Sequence, residues 1–308
     1  MLGDLTKQRF GAHLSVAGGL ENALSAAVAV GCDCLQIFVK NQRQWSAGPL
    51  TGTQIATFRA AWAASGVDPV VAHAGYLPNL ASPDAELRRR SIAAIADELE
   101  RCEALGVPAL VMHPGAHRGA GVAAGVRRVV SSINAIHQRT PGFATRLLLE
   151  TTAGQGTALG SVFPELLAII SGVREPERVM VCLDTCHLFA AGYDLSDPAG
   201  YQRTIAELTA SIGLDRVKCL HVNDSQQPCG SHRDRHEHIG KGAMGRRAFI
   251  HLVNDRRLAE VPKILETPKG VDGRGTDLDR VNLRRLRGMI GRFGTLPKHS
   301  VVRHERTP

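Results

Sequence analysis

VMVCLDT, residues 179–185, is an apolar run that stops abruptly at Asp184 and Thr185. Its apolar side chains do not alternate with polar ones, so it fits a strand covered on both faces. A segment of helical period follows near 199–212. The same order recurs upstream. RLLLET (146–151) precedes SVFPELLAIISGV, ALVMHP (109–114) precedes a helix near 122–138, and PVVAHA (69–74) precedes a helix from Asp84 to Leu105. Ser82-Pro83-Asp84 supplies the start signal of that last helix and Gly106 its stop. Further out, GAHLSV (11–16) leads to a helix from Leu20 to about Val30, and CLQIFV (34–39) to one from about Thr53 to Ala64. Downstream, VKCLHVND (217–224) leads through a polar loop to RRAFIHLVNDRRLA, and PKILET (262–267) to a last helix near 277–290.

Eight strand-then-helix units in a row predict an α/β fold, a single-domain (β/α)₈ TIM barrel with its site at the C-terminal face of the strands. A doubly wound open sheet is the alternative, but the first turn, SVAGG, lacks the GxGxxG spacing of a phosphate turn. The barrel is expected to occupy residues 1–296, and residues 297–308 to form a flexible tail.

Composition narrows the setting. The chain has 308 residues, 44% hydrophobic and 21% charged, which suits a soluble globular domain. The net charge of +8 favours a polyanionic partner, although part of the excess sits in the last helix and tail (Arg284, Arg285, Arg287, Arg292, Arg303, Arg306), where a solvated surface is the simpler reading. Seven cysteines without a CxxC pair exclude a thiolate zinc knuckle, and Cys32, Cys34, Cys182 and Cys219 read as reduced core residues. MLGDLTKQRF has no signal-peptide core and no apolar run reaches membrane length, so a cytoplasmic, membrane-free protein is expected, with nothing that requires more than a monomer.

The strand ends carry the chemistry. His73, His113, Glu150, Asp184, His221 and Glu266 end six consecutive strands, where a barrel points side chains into its site. Each alone reads as a hydrogen-bonded histidine or a helix-capping carboxylate; six converging on one rim point to bound cations. His187 follows Asp184 by one tight turn, and Asp234 and His236, two apart in an extended loop, face one side. His232 and His238 in the same loop are outside the set, and its arginines are expected to face a polyanion. Nine nitrogen and oxygen ligands suit Zn²⁺, with Mn²⁺ or Fe²⁺ as alternatives, and three ligands per ion suggest three ions. Six positive charges against four carboxylates leave a surplus of two, which suits phosphoryl chemistry.

The chain resembles the endonuclease IV family of metal-dependent apurinic/apyrimidinic endonucleases. The resemblance runs from GAHLSVAGG to LETP and rests on KNQRQW (40–45), HPGAH (113–117), ETTAGQG (150–156), VCLDTCHLFAAGYD (181–194), HVNDS (221–225) and DRHEHIGKG (234–242). It implies the same barrel and three zinc sites: His73, His113 and Glu150; Glu150, Asp184, His221 and Glu266; and His187, Asp234 and His236. It implies hydrolysis of double-stranded DNA 5′ to abasic sites, leaving a 3′-hydroxyl and a 5′-deoxyribose phosphate, and removal of 3′-blocking groups, with Glu150 and Glu266 as catalytic carboxylates. It places DNA contacts on Arg43, Tyr76 and Leu77, the last two as a wedge for an extruded nucleotide. Against that, Tyr76 and Leu77 could pack under their own loop; the other βα loops are read as short. Trp45 reads as a loop anchor, and Gly154 and Gly156 as a tight turn. Lys241 departs from the acidic residue common there, and GTLPKHSVVRHERTP has no counterpart. Two rivals share the metals: a sugar isomerase or epimerase, which would need stacking aromatics that a 4% aromatic chain hardly supplies, and a noncatalytic damaged-DNA-binding module.

Overall fold

The structure is a computed structural model that describes residues 3–292; the expected tail, 297–308, lies outside the described residues. The apolar runs become strands in chain order: β1 (Phe10–His13), β2 (Cys34–Phe38), β3 (Val70–His73), β4 (Ala109–Met112), β5 (Arg146–Glu150), β6 (Val179–Asp184), β7 (Val217–His221), β8 (Asp224–Ser225), β9 (His236–Glu237) and β10 (Lys263–Leu265). Eight of them close a parallel barrel in the order β1-β10-β7-β6-β5-β4-β3-β2, while β8 and β9 form a small antiparallel ribbon. This is the TIM barrel, and every residue of β3, β4 and β6 is buried, as strands with two covered faces require. The helices that cover the outer face are α1 (Leu20–Val30), α2 (Gly52–Ser65), α3 (Ala85–Leu105), α4 (Val122–Arg139), α5 (Phe163–Gly172), α6 (Thr185–Ala191), α7 (Pro198–Ser211), α8 (Gly245–Val253) and α9 (Leu278–Arg287). No helix among the described residues is long and apolar enough to cross a membrane.

Strand periodicity fixes what reaches the rim. A small buried cluster made of Cys34, Val71, Ala109, Val111, Leu148, Met180, Cys182, Cys219 and Ile264 fills the barrel interior. Side chains two apart on a strand share a face. Stepping two residues on from Cys34, Val71, Val111, Leu148, Cys182, Cys219 and Ile264 reaches Gln36, His73, His113, Glu150, Asp184, His221 and Glu266. In β1 the same step runs from Gly11 to His13. A Cβ at Gly11 would collide with the Cys34 carbonyl, so the interior has no room for a side chain there. The upper layer of the barrel is therefore a ring of polar groups standing on an apolar plug.

Local signals set the helix ends. Asp84 caps α3 through the Glu86 and Leu87 amides, and Gly106 ends it in the left-handed region. The structure corrects three expectations. α6 follows β6 directly, before the helix expected near 199–212, so Asp184 is a helix cap whose Oδ1 accepts the His187 amide at 2.8 Å. β1 ends at His13, sooner than the 11–16 reading. The other βα loops are not uniformly short: segment 151–162 exceeds the one that carries Tyr76, and segment 222–244 exceeds both that one and the one that carries Arg43.

Candidate metal centre

The nine expected ligands meet at one rim. His73, His113 and Glu150 form one group, Glu150, Asp184, His221 and Glu266 a second, and His187, Asp234 and His236 a third, with the ligand atoms of each group all within 4.8 Å of one another. Glu150 belongs to two groups through different oxygens. Its Oε2 lies 3.0 Å from His73 Nε2 and 3.0 Å from His113 Nε2, while its Oε1 lies 2.9 Å from His221 Nδ1. In the third group Asp234 divides in the same way, with Oδ2 3.1 Å from His187 Nε2 and Oδ1 3.2 Å from His236 Nε2.

Three of the five histidines are aimed at the cluster by their other nitrogen. His73 Nδ1 donates to the Ala74 carbonyl at 2.7 Å, His187 Nδ1 to the Thr151 carbonyl at 2.8 Å and His236 Nδ1 to the Glu266 carbonyl at 3.1 Å. A carbonyl can only accept, so in the neutral rings the Nε2 lone pair faces the cluster. The carboxylates are held as well. Asn223 donates to Asp184 Oδ2 at 2.7 Å, and its own oxygen accepts the Glu266 amide at 2.8 Å.

The electrostatics call for cations. Burial pushes the carboxyls of Glu150 and Glu266 up, but His113 and His221 at the first, and His221 at the second, outweigh it and hold both well below the usual carboxylate range. Asp234 is held down against its burial by His187 and His236. The histidines are raised in return. Burial opposes the charge on His236, yet Asp184 and Asp234 lift it to about 9, and carboxylates raise His187 and His221 well above their ordinary value. The clustered carboxylates thus favour positive charge at this rim, which divalent cations would supply. The residues fit such ions: the donors are all nitrogen and oxygen, and His236 Nε2 is buried beside carboxylate oxygens of Asp234 at 3.2 Å and Asp184 at 3.6 Å, with no well-aligned hydrogen bond to either.

A cleft of about 900 Å³ opens over the cluster, lined by His13, Phe38, Gln42, Tyr76, Lys269 and all of the ligands except Asp184 and His221. Tyr76 is 70% exposed, its ring edge-on to Phe38, so it does not pack under its loop; Leu77 is half-buried and Arg43 exposed. Arg90 lies over the Trp45 ring at 4.3 Å, and Lys40 donates to the Trp45 carbonyl, which pins the loop. Gly154 and Gly156 both take positive φ, 71° and 63°, in the turn after β5. His232 and His238 stand outside the three groups, bound to the Ala153 carbonyl and to Asn282. Arg235 is exposed, folded onto the Asp234 carbonyl.

Sequence reasoning missed His13, Gln36 and Asn223. His13 and Gln36 sit on the same inward-facing strand positions as the ligands, two residues on from Gly11 and Cys34. The available signal was a lone polar residue inside or just past an apolar run.

A family model described as "Xylose isomerase-like TIM barrel" matches residues 24–286. The "Probable endonuclease 4" of Chloroflexus aurantiacus is 52% identical over 282 residues, covering 92% of this chain and 98% of the relative. That of Geobacter sulfurreducens is 48% identical over 285 residues, covering 92% and 95%. Endonuclease IV from Thermus thermophilus superposes with a TM-score of 0.80 at 37% identity, covering 91% of this chain and 98% of that one. A D-tagatose 3-epimerase-like protein shares the fold alone, with a TM-score of 0.68 at 19% identity, covering 91% and 96%. The chain belongs to the endonuclease IV family. It is a nuclease on a TIM barrel.

Proposed function

We propose that this chain repairs DNA by hydrolysing the phosphodiester 5′ to abasic sites in double-stranded DNA, leaving a 3′-hydroxyl, with three zinc ions held by the nine residues His73, His113, Glu150, Asp184, His187, His221, Asp234, His236 and Glu266. The observation that carries the reading is Glu150, 1% exposed, with one carboxylate oxygen facing His73 and His113 and the other facing His221. A single buried carboxylate placed between two ligand sets suits two adjacent cations, and the His187–Asp234–His236 group supports a third. Bound divalent ions would supply Lewis-acid stabilisation of phosphoryl charge and a water acidic enough to deprotonate near neutral pH.

The protein's own groups do the rest. Glu150 sets the spacing of the two sets. Glu266, 17% exposed, lines the cleft, and it and Glu150 take the catalytic roles in this reading. Tyr76 and Leu77 fill the gap left when the abasic nucleotide turns out of the stack, at a cost lowered by the missing base, and Arg43 holds backbone phosphate. A 3′ end carrying a blocking phosphate presents the same phosphoryl charge without extrusion, so the same rim serves 3′-end cleaning. One chain supplies every ligand, and the reading has residues 1–296 act as a monomer in the cytoplasm.

The test is a duplex oligonucleotide with one tetrahydrofuran abasic analogue. A single nick 5′ to the analogue, leaving a 3′-hydroxyl, supports the reading. An intact duplex after incubation with protein holding three zincs per chain would refute it, and sugar epimerisation by the same protein would move the assignment to the epimerase rival.

A further inference from the structure

Three of the clustered histidines lean on main-chain carbonyls; His221 leans on a side chain. Gln36 stands in the middle of β2 with no exposed surface. Its Nε2 donates to Glu266 Oε1 at 2.7 Å and lies 2.9 Å from His13 Nδ1, and its Oε1 accepts from His221 Nε2 at 2.7 Å. A carboxylate only accepts, so Glu266 fixes the amide with its nitrogen toward Glu266 and its oxygen toward His221. An amide oxygen also only accepts, so His221 Nε2 must carry hydrogen. The remaining nitrogen, Nδ1, lies 2.9 Å from Glu150 Oε1, 3.2 Å from Glu266 Oε2 and 3.9 Å from Asp184 Oδ2. His221 is thus turned the opposite way from His73, His187 and His236, which present Nε2.

We propose that Gln36 is a positioning residue for the metal centre. One amide holds the Glu266 carboxylate and selects the His221 tautomer that offers Nδ1 to the same ion. The proposal rests on the reading of this rim as a three-zinc site. Removing a hydrogen-bond partner of a metal ligand typically costs about 10–100-fold in metal affinity. Apolar substitution here removes the partner of two ligands at once, and both belong to the Glu150–Asp184–His221–Glu266 group.

The experiment uses the full chain loaded with zinc, as wild type, Gln36→Leu and Gln36→Glu. Zinc per chain and the rate of zinc release to excess EDTA are measured. The hydrogen-bearing nitrogen of each histidine is read by long-range ¹H–¹⁵N NMR on protein labelled at histidine. In wild type, His221 is expected to stand out as a coordinated histidine with hydrogen on Nε2. Gln36→Leu is expected to release one zinc of three about 10–100-fold faster and to lose the His221 Nε2–H signal, while the other two ions stay at the wild-type rate. Gln36→Glu keeps the acceptor, so it retains that signal and holds the labile zinc longer than Gln36→Leu. Wild-type release and an unchanged His221 spectrum in Gln36→Leu would overturn the proposal. If Gln36→Leu does not fold, Gln36→Glu decides alone, and hydrogen on His221 Nδ1 in that variant overturns it. Wild-type protein that takes up no zinc refutes the reading of the rim itself, a result distinct from three zincs indifferent to Gln36.

Discussion

Lys40→Met is the perturbation whose cost follows most directly from the packing. The Lys40 ammonium is 2% exposed and donates to Asp97 Oδ2 at 2.9 Å and to the Trp45 and Ala94 carbonyls at 3.2 Å, and it pairs with Glu98 Oε1 at 3.2 Å. Glu98 is equally buried, and its other partner is the Gly75 amide at 3.2 Å. Asp97 is 30% exposed and keeps Arg101 at 3.1 Å, so the loss falls on Glu98. Breaking a buried pair by deleting one partner costs about 3–5 kcal/mol, because a charge is left uncompensated. Burial already raises the Glu98 pKa while Lys40 lowers it, so removing Lys40 raises it further. A carboxyl raised in the folded state stabilises below its unfolded pKa and loses that contribution as pH rises through the folded one. The deficit of Lys40→Met relative to wild type therefore grows from pH 4.5 to pH 7.5. Lys40→Met with Glu98→Gln removes the stranded charge and should recover all but about 1–2 kcal/mol, the scale of the remaining hydrogen bonds. Urea unfolding at both pH values measures this. A deficit under about 1 kcal/mol at neutral pH, or one independent of pH, would show that Lys40 does not compensate a buried Glu98 charge. The brace also joins the loop of Arg43 to the loop of Tyr76, since Lys40 opens one and Gly75 the other.

Asp184→Asn keeps an oxygen to cap α6 but removes one of four clustered carboxylates; cleavage should fall by about 10²–10³-fold with the melting temperature of the zinc-free protein little changed. Tyr76→Ala, at a residue 70% exposed, should slow nicking of duplex abasic substrate while leaving zinc content, stability and cleavage at 3′-blocked ends unchanged; equal duplex rates would remove the wedge role. His137 is 3% exposed, and burial, then Arg178, holds it at about 4. With its folded pKa below the unfolded value, its contribution is full above about pH 6.5 and is lost as pH falls toward 4, at most about 3 kcal/mol. His137→Gln should flatten that slope in urea unfolding between pH 4.5 and 7.

The barrel was legible because strands covered on both faces leave continuous apolar runs, and eight in a row separated by helices admit few architectures. Six of the ligands were legible because each ends or follows such a run, where a polar residue is conspicuous, and the other three by their spacing: His187 from Asp184, and Asp234 from His236. α6 was not, because its seven residues follow the strand's last residue directly and lack room for a visible period. Gln36 escaped notice because its partner His221 is 185 residues away, and only barrel closure brings β2 and β7 to the same rim. The Lys40–Glu98 brace hid for a related reason: a lysine in KNQRQW reads as a solvated charge until α3 is laid beside it.

The proposed chemistry requires that one rim gather three cations, two of them sharing Glu150. Anomalous diffraction at the zinc edge, on crystals of the zinc-loaded chain, tests it most directly. Three peaks are expected: one beside His73 and His113, one beside Asp184, His221 and Glu266, and one among His187, Asp234 and His236, with the Glu150 carboxylate between the first two. A single peak, or three peaks with Glu150 touching none, would contradict it.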